Sequence, residues 1–202
     1  MELKELPTLF FEFHGSQASV EEQAQQTGEI AESFGASGFK WSSDAQQRGK
    51  LWEARHHAYW AAIALRGLPN LRGMPTDAAV PISRLADCVI ESDADLQEVT
   101  QRTGLVGPLV GHVGDGNFHY CLAIDVTNPD EIHEAKAFSQ RLAERAIRMG
   151  GTCSGEHGVG YGKLKYLEME HGAAAVAVMR SIKAAMDPHN ILNPGKMGSP
   201  IE

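Results

Sequence analysis

Two periods of apolar spacing run along the 202-residue chain, and each change of period marks an expected element. Over residues 7–15, Leu9, Phe11 and Phe13 share one face against Phe10, Glu12 and His14, which predicts a half-buried strand entering a glycine turn. Ser19 and Glu22 have capping-box spacing, so a helix is expected to run from there to about Gly35, followed by a short strand over 38–42. From Asp44 to about Leu65 the period is helical: Leu51, Ala54, Ala58, Ala61 and Leu65 recur at three and four residues. Trp52, Arg55, His56 and Tyr59 lie beside that face.

The Pro/Gly-rich stretch 67–75 breaks this helix. Residues 76–81 then read as a strand, and Ser83 as the cap of a helix reaching about Thr103. Two apolar strands flank Gly114-Asp115-Gly116. Asn128 as N-cap and Pro129 at the first helical position open a helix lined by Ile132, Ala135, Leu142 and Met149, which stops at Gly150-Gly151. A short strand is expected over 152–156, then one or two helices over 161–186 interrupted near Gly172. Strands and helices alternate, but the link across Asp115-Gly116 is a hairpin, so the class is α+β with an antiparallel sheet flanked by helices. Neither a repeat nor a linker is visible, and a single domain is expected.

Composition narrows the functional classes. The net charge of −8 is spread over Asp and Glu with no basic run, which argues against a nucleic-acid partner. No stretch approaches the length and apolarity of a transmembrane segment, and residues 1–6 do not form a signal peptide. The expectation is a soluble cytoplasmic protein, compatible with peripheral membrane association. Cys88, Cys121 and Cys153 are odd in number and widely spaced, as core thiols of a reducing compartment would be.

Chemistry concentrates in two glycine-rich segments. If Asp115-Gly116 is a two-residue loop, His112 stands directly opposite His119, with Cβ atoms about 4.5 to 5.5 Å apart, close enough to share a metal ion. A three-residue loop would spoil this pairing, and two sheet histidines also fit a purely hydrogen-bonded role. The second segment, Ser154-Gly155-Glu156-His157-Gly158, adds a carboxylate and an imidazole among small residues that allow close backbone approach. His112, His119 and Glu156 together make a common catalytic metal set with open positions. A phosphate-binding loop over 158–163 is rejected, because Leu164 stands where Ser or Thr would be needed and His157 where the first Gly belongs. No G-x-G-x-x-G opens a dinucleotide-binding unit either.

These motifs resemble the C-terminal domain of the flavin-linked oxidases that include D-lactate dehydrogenase, the glycolate oxidase flavin subunit and D-2-hydroxyglutarate dehydrogenase. The likeness runs from Leu9-Phe10-Phe11-Glu12-Phe13-His14-Gly15 through Leu51-Trp52-Glu53-Ala54-Arg55 and the two Gly/His segments. It continues to Asp187-Pro188-His189-Asn190-Ile191-Leu192-Asn193-Pro194-Gly195-Lys196. The resemblance implies a ferredoxin-like cap domain, with FAD held mainly by an N-terminal domain that is not in this sequence, so Met1 is expected to begin a fragment or a separately encoded half. It also implies His112, His119 and Glu156 as ligands of zinc, manganese or iron, and His157 as the base that takes the hydroxyl proton of a 2-hydroxy acid. The proton chemistry suits a metal-chelated hydroxyl beside an imidazole.

Arg55 would pair with the substrate carboxylate, its alternative being a solvated helix arginine. Asn193 would lie near the flavin, its alternative being a turn-former. Relatives that oxidise dicarboxylates place a hydroxyl residue and a Lys where Tyr59 and about Pro75 stand here, so a monocarboxylate is favoured. Implied partners are the substrate and an FAD-binding domain or subunit, and the surface facing that domain would promote self-association. Two rivals remain: a free-standing metallohydrolase, recognisable by ester or amide hydrolysis, and a noncatalytic acid-binding module, recognisable by binding without turnover.

Overall fold

The computed structural model describes residues 6–196. Two compact units, Met1–His57 and Ala58–Glu202, divide the chain. In the first, helix α1 (Gln17–Ser33) is capped three residues earlier than expected: Ser16 is the N-cap, its hydroxyl accepting from the Ser19 amide. Ala24 and Gly28 are its buried positions, and the Phe39 ring sits against Gly28. The strands expected over 7–15 and 38–42 do not form. Phe11 and Phe13 do stack on a common side, 6.2 Å apart, so the period-two pattern is present. A strand also needs a neighbouring backbone, and neither segment has a ladder partner among the described residues.

Helix α2 (Ala45–Ala64) starts where Asp44 caps the Gln47 amide at 2.8 Å. Of the stripe expected to be buried, the side chains of Leu51 and Ala54 lie outside the described residues. Leu65 is exposed, and the buried position is Ala62.

The second unit is organised around one long strand. Its elements are β1 (Leu71–Pro75), β2 (Ala78–Ala79), α3 (Ile82–Thr103), β3 (Leu109–His112), β4 (Asn117–Asp125), α4 (Pro129–Arg148) and α5 (Leu167–Met186). Strand β4 pairs antiparallel with all three others. Phe118 lies between Ala78 and Gly111, and Ala123 between Gly73 and Val106, so β1 and β2 follow one another along one edge while 106–112 occupies the other. Paired on both edges, β4 is buried from Asn117 to Ile124, the signature of a central strand.

Helices α3 and α4 supply the rest of the core. Cys88, Leu96 and Val99 from α3 and Ala135, Phe138, Leu142 and Ala146 from α4 pack with Phe118, Tyr120 and Leu122 of β4. Helix α4 follows its sequence signals closely: Asn128 accepts from the Asp130 and Glu131 amides, Pro129 stands in the first turn, and Met149 ends it before Gly150. Helix α3 begins after Pro81 without the Ser83 cap. Asp95 joins the two helices, accepting from Arg141 at 2.6 Å and Arg145 at 3.1 Å. The expected interruption near Gly172 is a kink within α5, where φ is 79°.

Three expectations are corrected here. The strand expected over 76–81 shrinks to β2, Ala78–Ala79, while 67–75, which does follow the end of α2, also holds β1, an edge strand that Pro75 can end because a missing N–H is tolerated there. Residues 153–156 form no strand: only Thr152 bridges to Ala79, and the following amides turn to side chains instead, Cys153 to the Glu170 carboxylate, Ser154 to the Thr152 hydroxyl and Glu156 to the Asp77 carboxylate. The hairpin loop is longer than two residues. Val113–Asp115 makes a 3₁₀ turn closed by Gly116 at φ 74°, so His112 pairs with Asn117 and Val110 with His119. A Cβ on Gly116 would strike the Val80 carbonyl oxygen, which accounts for the glycine.

Candidate functional site

His119 enters from the middle of β4 and its side chain is 9% exposed. Its Nδ1 lies 2.8 Å from the Thr76 carbonyl oxygen. A carbonyl only accepts, so Nδ1 carries a proton, and in the neutral imidazole Nε2 presents a lone pair. Thr76 also locks the strand beside this ring: its N–H donates to the Tyr120 carbonyl at 3.0 Å, and the Tyr120 N–H donates to Thr76 Oγ1 at 2.8 Å. The ring is therefore held by the sheet edge on which it acts.

What Nε2 faces is a second acceptor. Glu156 Oε1 stands 3.0 Å away, yet Nε2 has no hydrogen-bond donor, and neither has the buried Asn117 Oδ1 two residues back on the same strand. With the ring neutral, acceptors brought this close repel unless a proton or a metal ion lies between them. Two ligand atoms about 2.0 to 2.2 Å from one ion stand about 3 Å apart, so this donor set fits a divalent metal. His157 completes the cluster, its ring edge-on to His119 with centroids 5.2 Å apart, Nε2 3.7 Å from Glu156 Oε1 and the side chain about half exposed.

The turn that carries Glu156 and His157 is shaped by a residue that sequence reasoning missed. Asp77, buried between β1 and β2, accepts from the Glu156 amide at 3.0 Å, the His157 amide at 3.2 Å and Ser154 Oγ at 3.3 Å. Lys163 Nζ approaches its Oδ2 at 2.6 Å. Burial pushes the Asp77 carboxyl up, but Lys163 and the two amides outweigh it and hold it below the usual carboxylate range. A signal is present in the sequence, since an aspartate is out of place beside the apolar run Ala78-Ala79-Val80 of a strand pattern. Asp77, His119 and His157 also have ligand atoms within 4.8 Å of one another. The lone pairs of Asp77 are already engaged by Lys163 and the turn.

The remaining expected residues divide by location. His112 is exposed at the end of β3. The observed register moves it by two residues, so it keeps its face and becomes a diagonal neighbour of His119, about 7 Å away by ladder geometry, instead of standing opposite. Asn193 sits in the loop after α5 at φ 49°; the Tyr161 hydroxyl donates to the next residue's carbonyl, Pro194 O, tying that loop to the glycine-rich segment. Asp187 organises the same loop, accepting from the Ile191 and Leu192 amides at 2.9 Å each and from Lys183. Arg55 belongs to the first unit, on an exposed position of α2. Cys88, Cys121 and Cys153 are all buried free thiols, as expected.

Comparisons with known proteins bear on the family and the fold of this chain. A family described as FAD linked oxidases, C-terminal domain, matches residues 1–197. The chain belongs to that family. It is 48% identical over 191 residues to a probable mitochondrial D-lactate dehydrogenase of Danio rerio, covering 95% of this chain and 37% of that protein. It is 34% identical over 189 residues to the glycolate oxidase subunit GlcD of Bacillus subtilis (strain 168), covering 94% of this chain and 38% of that one. The chain thus spans somewhat over a third of the length of these relatives. The solved structure of 4-ethylphenol oxidase from Gulosibacter chungangensis, in complex with isoeugenol, matches with a TM-score of 0.62 at 16% identity over 92% of this chain and 38% of that one. That likeness shows the fold: helices on an antiparallel sheet, as the α+β reading expected. Among the described residues, no helix is long and apolar enough to cross a membrane.

Proposed function

We propose that this chain is the substrate- and metal-holding part of an FAD-dependent dehydrogenase that oxidises a small D-2-hydroxy acid, of the D-lactate or glycolate type, to the 2-oxo acid. The observation that carries the reading is the pair of facing acceptors, His119 Nε2 and Glu156 Oε1, beside a half-exposed His157. Relatives named for D-lactate and glycolate chemistry support it. His119 and Glu156, with His112 as third donor, would hold zinc, manganese or iron. The metal, when bound, supplies Lewis acidity toward the substrate hydroxyl, and FAD supplies the hydride acceptor.

The chain's own residues do the rest. His157 takes the hydroxyl proton, Arg55 pairs with the carboxylate through its planar fork, and Asn193 meets the flavin from its exposed turn. The flavin itself is assigned chiefly to an N-terminal domain or a separate subunit, for which the length of the relatives leaves room, and the surface that meets it is the expected site of self-association. Tyr59 and Pro75 offer no cation for a second carboxylate, which favours a monocarboxylate. Three buried thiols suit a mitochondrial matrix as well as the cytoplasm.

Elemental analysis and Zn²⁺ calorimetry on the parent, His112→Ala and His119→Ala proteins test the site, and dye reduction with D-lactate by the complete flavoprotein tests the activity. One divalent ion per parent chain, lost in both variants, is expected. Equal metal uptake by all three proteins would overturn the ligand assignment.

A further inference from the structure

We propose that Asp77, braced by Lys163, is a positioning residue that sets the Glu156–His157 turn against His119. The inference rests on the reading of His119 and Glu156 as metal ligands, and it adds the device that brings them together. Glu156 and His157 follow Gly155 in a segment with no strand partner among the described residues. Their two amides converge on one buried carboxylate, at 3.0 and 3.2 Å. Consecutive N–H groups aimed at one anion fix the direction of the intervening peptide, and hence the directions of both side chains.

The anion is itself held. Lys163 Nζ meets both Asp77 Oδ2, at 2.6 Å, and the Asp77 carbonyl oxygen, at 3.2 Å, so one ammonium ties the start of β2 to the far end of the glycine-rich segment. The Asp77 peptide is in turn continuous with Thr76, which orients the His119 ring. Both halves of the candidate metal site are therefore referred to two adjacent residues, Thr76 and Asp77: one through a carbonyl, the other through a carboxylate. Groups of this kind, one bond removed from the ligands, commonly change metal affinity by about ten- to a hundredfold when altered.

The test uses the full chain with Co²⁺ alone as probe, comparing the parent with Asp77→Asn, Lys163→Met and Asp95→Asn, the last a similarly ion-paired carboxylate far along α3. Hydrogen exchange of the Glu156 and His157 amides reads the turn without any metal. Expected in Asp77→Asn are at least tenfold faster exchange at those two amides with the Ala123 amide still protected, a ten- to hundredfold weaker Co²⁺ affinity and an altered Co²⁺ absorption spectrum. Lys163→Met should shift the same quantities in the same direction by less, which keeps the test decisive if Asp77→Asn does not fold. Asp95→Asn should lower stability while leaving exchange at the turn and Co²⁺ affinity within twofold. Unchanged exchange at Glu156 and His157 in both site variants would overturn the proposal. Failure of the parent to bind Co²⁺ would instead sink the metal reading, and the exchange data would still decide the role of Asp77.

Discussion

An alanine at position 155 places a methyl group in the tightest part of the candidate site. An ideal Cβ there would lie 2.8 Å from Asp77 Oδ1 and 2.8 Å from Asn117 Cγ, closer still to Asn117 Oδ1, where ordinary contact begins at 3.4 Å. Asp77 is held by Lys163 and the turn amides and cannot yield, whereas Asn117 can give way only by rotating its buried side-chain amide. The turn must withdraw by at least about 0.6 Å, which stretches the 3.0 Å bond from the Glu156 amide to about 3.6 Å, past the limit of a hydrogen bond. Glu156 and His157 move with it. Displacements approaching 1 Å can cost about 10²-fold in a positioned site, so Gly155→Ala should weaken Co²⁺ binding, and D-lactate turnover by the complete flavoprotein, by about ten- to a hundredfold. Overpacking of this kind costs only about 1–3 kcal/mol of stability, so the variant should remain folded. Gly162→Ala is the matched control, with open space around its Cβ. Co²⁺ affinity and turnover within twofold of the parent in Gly155→Ala would refute the reasoning that Asp77 and Asn117 fix this turn.

Other expectations follow from separate parts of the chain. In a complete enzyme Arg55→Lys should lower kcat/KM for D-lactate by about one to two orders of magnitude, because an ammonium cannot make a bidentate contact; an unchanged value would return Arg55 to the role of a surface arginine. Burial raises the Asp95 carboxyl, but hydrogen bonds from Arg141 and Arg145 outweigh it and hold it below its ordinary value. Its contribution to stability is thus present above about pH 4 and lost as pH falls through the depressed value. Urea midpoints of the parent and Asp95→Asn should differ at pH 7 and converge in acid, and a gap that widened with acidification would reverse the sign of the argument. Burial beside the Glu170 carboxylate pushes the Cys153 thiol up to about 12, so iodoacetamide at pH 8 should leave Cys153 unmodified in the folded chain and label it in urea. Labelling of Cys153 at equal rates in both states would contradict its burial.

Features written in contiguous residues are legible in the amino-acid sequence alone. Asn128-Pro129 and Gly150-Gly151 bound α4 because a cap and a stop need only their own neighbours in the chain. The family is also readable, since Gly111 to His119 and Ser154 to Gly160 resemble it as contiguous strings, and the matched family spans residues 1–197. Where pairing between distant segments decides the outcome, local pattern is insufficient. Residues 7–15 have strand periodicity without a strand, for want of a partner backbone among the described residues. The segment 67–75 has breaker composition and yet holds β1, because the open edge of β4 is there to receive it. The hairpin register turns on whether two or four residues close the loop, a choice made where Gly116 passes the Val80 carbonyl from a distant segment. Asp77 shows the same limit most sharply. Its carboxylate acts on residues 79 and 80 positions away, and only tertiary folding could bring that anion, the Lys163 ammonium and the two amides to one point.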